Sequence, residues 1–343
     1  AVALSNECEP PAASTAAFYD FAHTYRSACS TTRNWDRTFR DVTASTLVDG
    51  RNRLSVTTST ALADAIASLK VNNKEFIASG GHGAAFQYAF HAWQQGGKAT
   101  ECYNPTQAGA RIDDDKQPAP FHGPSTSALY VMTRNGATIR TEQRPAMFMT
   151  RADTRLGWGG CRTADHQPNT SPFTHGLSPY WLSTQVQLAP DNGVPRLENV
   201  VRLTASIKSE DTHHDHFSSA LVAYLQHDFT QVYSYNLAKN AMTARPGDAY
   251  TTKDPVIRCT ADDAYCMGMY VRPKVLGKSA YYYYTMTRPP NDYNGMTGEY
   301  TMQVTSPTTD VDRGDVVRYE TYVVVGNRDR VGSTIRQLHR AIG

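Results

Sequence analysis

The chain has 343 residues, of which 40% are hydrophobic, 10% aromatic and 19% charged. That is enough apolar material for a large core and too little charge for a disordered or coiled-coil chain. A formal net charge of +2 provides no basic field of the kind that draws nucleic acid, and no apolar run approaches the roughly 18 residues of a membrane span. Neither nucleic acid nor membrane is an expected partner.

Helices are predicted near the front, over 12–30 and 58–70, where Ala and Leu recur at helical spacing and Ser/Thr candidates for an N-cap precede the second run. Residues 1–75 thus read as a partly helical extension of one domain spanning 1–343, with no internal repeat or linker to divide it. Further on, short runs rich in Val, Thr and Tyr predict strands over 128–132, 138–141, 181–188, 199–207, 280–287, 299–304 and 316–325. Turn clusters such as Ala189-Pro190-Asp191-Asn192-Gly193 and Pro289-Pro290-Asn291-Asp292 punctuate them, which points to antiparallel connections. Over 329–342, Val331, Ile335, Leu338 and Ile342 fall about one turn apart, as in an amphipathic helix that closes onto a sheet. The fold class expected is mainly β: a large antiparallel two-sheet sandwich with N-terminal helices and a C-terminal amphipathic helix.

Strand alternation bears on function. Arg318, Glu320 and Tyr322 share one face of their strand and Val317, Tyr319, Thr321 and Val323 the other. Such a polar and aromatic face suits a sugar cleft or ordinary solvent exposure. Tyr281 to Tyr284 alternate between the two faces, so two of the four are expected in the core.

Six cysteines, at 8, 29, 102, 161, 259 and 266, form an even set without zinc-type spacing and read as three disulfides. Short closures favour Cys8 with Cys29 and Cys259 with Cys266, leaving Cys102 with Cys161. The sequence opens Ala1-Val2-Ala3-Leu4, without Met or a basic stretch, as a chain does after a signal peptide is removed. The expected location is secreted or periplasmic.

The densest polar region runs over 79–115. Three glycines flank His82 in Ser79-Gly80-Gly81-His82-Gly83, freeing the backbone to display the imidazole. Gln87 and His91 follow. Glu101, Tyr103, Asn104 and Gln107 then crowd beside Cys102 and Pro105, and His122 stands between Phe121 and a Gly-Pro turn. His82, Glu101, Tyr103 and His122 are the candidate catalytic groups. Gln87, Asn104, Gln107, Arg144 and Tyr322 are the candidate substrate contacts.

Other chemistries fit less well. His213, His214, Asp215 and His216 offer metal ligands, but no helical H-E-x-x-H arrangement is present. Asp113 to Asp115 lack a calcium-loop pattern and read as a solvated acidic turn. There is no G-x-S-x-G elbow, P-loop or dinucleotide fingerprint. No metal and no other cofactor is expected.

The segments Gly80-Gly81-His82-Gly83-Ala84-Ala85-Phe86-Gln87, Glu101-Cys102-Tyr103-Asn104-Pro105-Thr106-Gln107-Ala108-Gly109 and Tyr265-Cys266-Met267-Gly268-Met269-Tyr270 resemble motifs of exported bacterial, carbohydrate-active β-sandwich proteins with a galactose-mutarotase-like super-sandwich. The resemblance covers scattered stretches from about 77 to 325. It implies two large antiparallel sheets, a concave carbohydrate-binding face, and loop His and carboxylate residues acting at an anomeric or glycosidic centre.

The expected function is cleavage of glycosidic bonds in a polysaccharide or oligosaccharide. Hydrolysis needs two carboxyl groups, here Glu101 with Asp113, Glu142 or Asp215. β-Elimination on a uronic acid needs a base and groups that neutralise the sugar carboxylate, for which His82, Tyr103, Asn104, Gln87, His122 and Arg144 are the inventory. A noncatalytic carbohydrate-binding or cell-surface protein, and a metal-dependent hydrolase using the 213–216 cluster, are the alternatives.

Overall fold

The computed structural model describes residues 41–48, 50–78, 85–93, 100–103, 127–145, 178, 180–191, 197–210, 212–247, 250–273, 280–287, 298–305 and 309–343. The helix expected over 12–30 and the Cys8–Cys29 and Cys102–Cys161 pairings lie outside what is described.

Strands β1 (Val42–Val48), β2 (Asn52–Ser59), β3 (Ala65–Val71) and β4 (Lys74–Glu75) form a four-stranded antiparallel meander. The helix expected over 58–70 is therefore corrected to strand, turn, strand. A single 3-10 turn, Thr60–Leu62, joins β2 to β3, with Ala63 and Asp64 at positive φ. Leu54, Val56, Ile66, Leu69 and Val71 all enter the core, and that tertiary burial outranks the local helix preference of the alanines. Between β3 and β4 the two turn residues, Asn72 and Asn73, have φ of 56° and 78°, the backbone a tight twisted hairpin requires.

Next come β5 (Gln87–Trp93), β6 (Thr100–Tyr103), β7 (Ala128–Asn135), β8 (Thr138–Arg144), β9 (Tyr180–Leu188) and β10 (Val200–Ser209). They are followed by β11 (His213–Leu225), β12 (Gln231–Asn236), β13 (Ala241–Ala244), β14 (Tyr250–Thr252), β15 (Val256–Cys259) and β16 (Cys266–Tyr270). Last are β17 (Ala280–Thr287), β18 (Gly298–Thr305), β19 (Thr309–Val311), β20 (Val316–Gly326) and helix α1 (Arg328–Ile342). Every strand expected from the sequence is present. The nine-stranded sheet runs β13-β12-β15-β16-β20-β10-β9-β8-β7, and the seven-stranded sheet runs β14-β17-β18-β11-β5-β6 with β19 beside β11.

The two large sheets face each other across one core, to which the small meander also contributes. Val201, Leu203, Ala205 and Ile207 of β10 and Val323 and Val325 of β20 meet Leu221, Tyr281, Tyr283 and Met302 of the opposite sheet. Tyr281 and Tyr283 point inward, while Tyr282 and Tyr284 are half-exposed with rings 5.4 Å apart. Arg258 is fully buried between the sheets, its guanidinium donating to the Tyr284 carbonyl at 3.3 Å and lying 5.2 Å over the Tyr283 ring.

The outer face of the nine-stranded sheet is divided in two. Val331, Ile335 and Leu338 of α1 roof Tyr235, Ile257, Tyr270, Tyr322 and Val324 in a second core. Asn327 caps the helix by accepting from the Arg330 N–H at 2.9 Å. Buried Asn199 ties the helix to the sheet, donating to the Val325 carbonyl at 2.9 Å and to Thr334 Oγ1 at 3.2 Å. Cys259 and Cys266, opposite each other on β15 and β16, form the expected disulfide. No helix among the described residues is long and apolar enough to cross a membrane.

Candidate functional site

Beyond the helix the outer face carries polar and aromatic side chains instead of a second core. Because inward positions on β8, β9, β10 and β20 alternate strictly, outward residues on neighbouring strands line up in rows. One row reads Thr138, Gln187 and Arg202 and then passes under α1 at Tyr322 and Tyr270, both buried in the second core. The next reads Arg140, Gln185, Thr204 and Glu320, and a third reads Glu142, Ser183, Ser206 and Arg318. Tyr130, Arg144, Trp181, Lys208 and Glu210 extend the face at one end. The one-face placement of Arg318, Glu320 and Tyr322 expected from alternation is thus part of a much wider surface.

Glu320 organises the middle. Arg202 donates from Nε at 3.2 Å and from a terminal nitrogen at 2.7 Å to one carboxylate oxygen, while Arg272 and Tyr322 donate to the other, both at 2.6 Å. Burial alone would raise the Glu320 carboxyl, but the hydrogen bonds from Tyr322 and Arg202, the Arg202 charge and the Arg272 bond outweigh it and hold the group below its usual range. Burial followed by the Glu320 bond raises the Tyr322 phenol. An ionised carboxylate with four donors is an acceptor and a scaffold, not a proton source. Nearby, Arg140 Nε donates to Gln185 Oε1 at 3.0 Å.

A second cluster gathers around Trp181. Its indole N–H donates to Glu210 at 2.7 Å, the Tyr130 ring lies 4.9 Å away, and the Arg144 guanidinium sits 5.6 Å over the indole. Arg144 donates to the Ser178 carbonyl at 2.7 Å and to Glu210 at 2.8 Å. The Tyr130 phenol is raised, first by burial and then by Glu210 and Glu142, against the lowering effect of Arg144. It therefore stays protonated at neutral pH. Glu142 is buried at 1% exposure. Its backbone lies three strand spacings from the row position beside Glu320, roughly 14 Å.

The other expected site residues fall elsewhere. His82, His122, Asn104 and Gln107 lie outside the described residues. Glu101 and Tyr103 are on β6, paired with Ala92 and Phe90 of β5 at the edge of the seven-stranded sheet; their side chains are outside the description. The 213–216 cluster forms the start of β11, with a register shift between His213 and His216. Among the described residues the one group close enough to share a metal is Cys259, Asp263 and Cys266, and its two cysteines are joined to each other.

Gln87, expected to touch substrate, points into the sandwich instead at 3% exposure. It lines a small pocket of about 20 Å³ with Asp64, Tyr88, Gln143 and Thr184, room for one water molecule. Asp64 is buried there among the hydroxyls of Thr141, Thr58 and Thr184; burial pushes its carboxyl from 3.8 up to about 7 despite those three hydrogen bonds.

No family model and no curated protein matches the sequence. Among solved structures the chain is similar to a galactose mutarotase related enzyme from Lactobacillus acidophilus, at 10% identity over 84% of this chain and 98% of that one, with a TM-score of 0.44. It is also similar to heparan sulfate lyase HepC from Pedobacter heparinus, at 9% identity over 90% of this chain and 41% of that one, TM-score 0.40. A GH36 alpha-galactosidase, AgaA, from Geobacillus stearothermophilus aligns at 8% identity over 70% of this chain and 30% of that one, TM-score 0.35.

Proposed function

We propose that the protein is an exported carbohydrate-active enzyme that holds a polysaccharide or oligosaccharide on the polar half of the nine-stranded sheet's outer face and cleaves a glycosidic bond there. The observation that supports this reading is the in-register rows of Arg, Glu, Gln, Thr and Tyr across β8, β9, β10 and β20. Planar amides, guanidinium groups and carboxylates form paired hydrogen bonds with vicinal hydroxyls, and rigid sheet positions hold them at fixed spacing. Tyr130, a half-buried phenol kept protonated beside Glu142, Glu210 and Arg144, serves as a hydrogen-bond donor to a departing sugar oxygen.

A noncatalytic saccharide-binding protein is the second reading. The saturated Glu320 favours it, because a carboxylate held by four donors does not act as a general acid or base. A panel of neutral and acidic polysaccharides, read by reducing-sugar release and by absorbance of unsaturated products, separates the readings. Product formation reduced at least about 100-fold by Tyr130→Phe is the expected result; saturable binding without product supports the binder, and neither binding nor product contradicts both.

A further inference from the structure

We propose that Arg272, together with Arg202, forms a subsite for an anionic substituent, a carboxylate or sulfate, on the bound sugar chain. The inference rests on the saccharide reading above and assigns that site a substrate class. Arg272 follows β16 by two residues and continues the outward parity of Tyr270, which brings its terminal nitrogen to Glu320 at 2.6 Å. Arg202 reaches the same carboxylate from β10 at 2.7 Å. Two guanidinium groups thus share one carboxylate, and Arg272 is the outer of the two, its side chain 40% exposed against 19% for Arg202.

The polar balance at Arg272 is incomplete. Its Nε is buried and has no hydrogen-bond partner among the described residues. A ligand reaches the guanidinium through the exposed part of this side chain, and a planar anion offers the paired acceptor geometry that a guanidinium fits. A neutral sugar hydroxyl supplies an acceptor but no charge. The surroundings favour the anion as well: the outer face gathers Arg140, Arg144, Arg202, Lys208, Arg272 and Arg318 against Glu142, Glu210 and Glu320, a larger positive excess than the +2 of the entire chain. Such a face raises the local concentration of acidic chains and discriminates against neutral ones.

Equilibrium binding to matched polymers tests this. Polygalacturonate, alginate and hyaluronan are each measured beside their carboxyl-reduced forms, and dextran sulfate beside dextran. The expected result is at least one charged polymer bound about tenfold more tightly than its neutral counterpart, with Arg272→Gln abolishing that difference and Arg272→Lys retaining part of it. Whether the preference follows the carboxylate or the sulfate arm identifies the anion. Equal binding of charged and neutral forms, or a parallel loss of both in Arg272→Gln, overturns the subsite and leaves the saccharide reading standing. Absence of binding to any polymer, charged or neutral, contradicts both.

Discussion

Asp64 shows how one buried side chain sets a property of the folded protein. It sits at positive φ beside the 3-10 turn, sealed into the sandwich with three threonine hydroxyls, and its carboxyl is pushed up to about 7 from 3.8. Between those values the native state retains a proton that the unfolded chain has released. Its own contribution to stability is therefore fullest below pH 4, falls as pH rises through the window and levels off above pH 7, a loss on the order of 4 kcal/mol for this group. Urea unfolding at pH 5 and pH 8 checks the sign. Asp64→Asn is expected to shrink the difference between the two pH values, and an unchanged difference would remove Asp64 as its source. Glu320, held low by its Arg and Tyr partners, acts in the opposite sense and at lower pH: its contribution is present near neutrality and disappears as pH falls below the usual carboxylate range.

At the scale of elements, α1 depends on the absence of a side chain at Gly268 of β16. A Cβ there would lie 2.9 Å from Val331 Cγ1, 3.0 Å from Ile335 Cδ1 and 3.2 Å from Ile257 Cγ1. Gly268→Ala is expected to cost about 1–3 kcal/mol by overpacking, measured by denaturant unfolding; a neutral outcome would mean that the helix rides freely on the sheet. The helix itself was legible because its apolar residues repeat every turn, and β20 because polar and apolar residues alternate. The segment 58–70 was not, because alanines satisfy helical spacing while the demand for strand comes from Leu54, Val56 and Leu69 reaching a core built by distant strands. Site residues divide in the same way. The outward parity of Tyr322 was readable from its own strand but not the helix that buries it to 2% exposure, while Arg144 is committed to Ser178 and Glu210, 34 and 66 residues away, and Gln87 lies on β5 where it pairs with β11. Arg202 and Arg272 escaped notice since they converge on Glu320 from separate strands. Their signal was parity: Arg202, Thr204, Ser206 and Lys208 alternate with Val201, Leu203, Ala205 and Ile207.

For the whole molecule, two large sheets bury their inner faces against each other, and a single C-terminal helix covers part of one outer face. Among the described residues the rest of that face is polar and net positive, exposed at Arg318 and buried at Glu142, Ser183 and Ser206, with its side-chain spacing fixed by strand register. The outer face of the seven-stranded sheet provides an internal control, since Tyr282 and Tyr284 stand half-exposed there on the opposite side of the sandwich. Titration of the polysaccharide panel into the wild type, an Arg140→Ala/Gln185→Ala double variant and a Tyr282→Ala/Tyr284→Ala double variant tests the location of the site most directly. Loss of affinity of tenfold or more in the first pair, on the order of two hydrogen bonds, with wild-type affinity in the second, is the predicted result. Affinity that survives the first pair and is lost with the tyrosines would place the ligand on the other sheet and contradict the account.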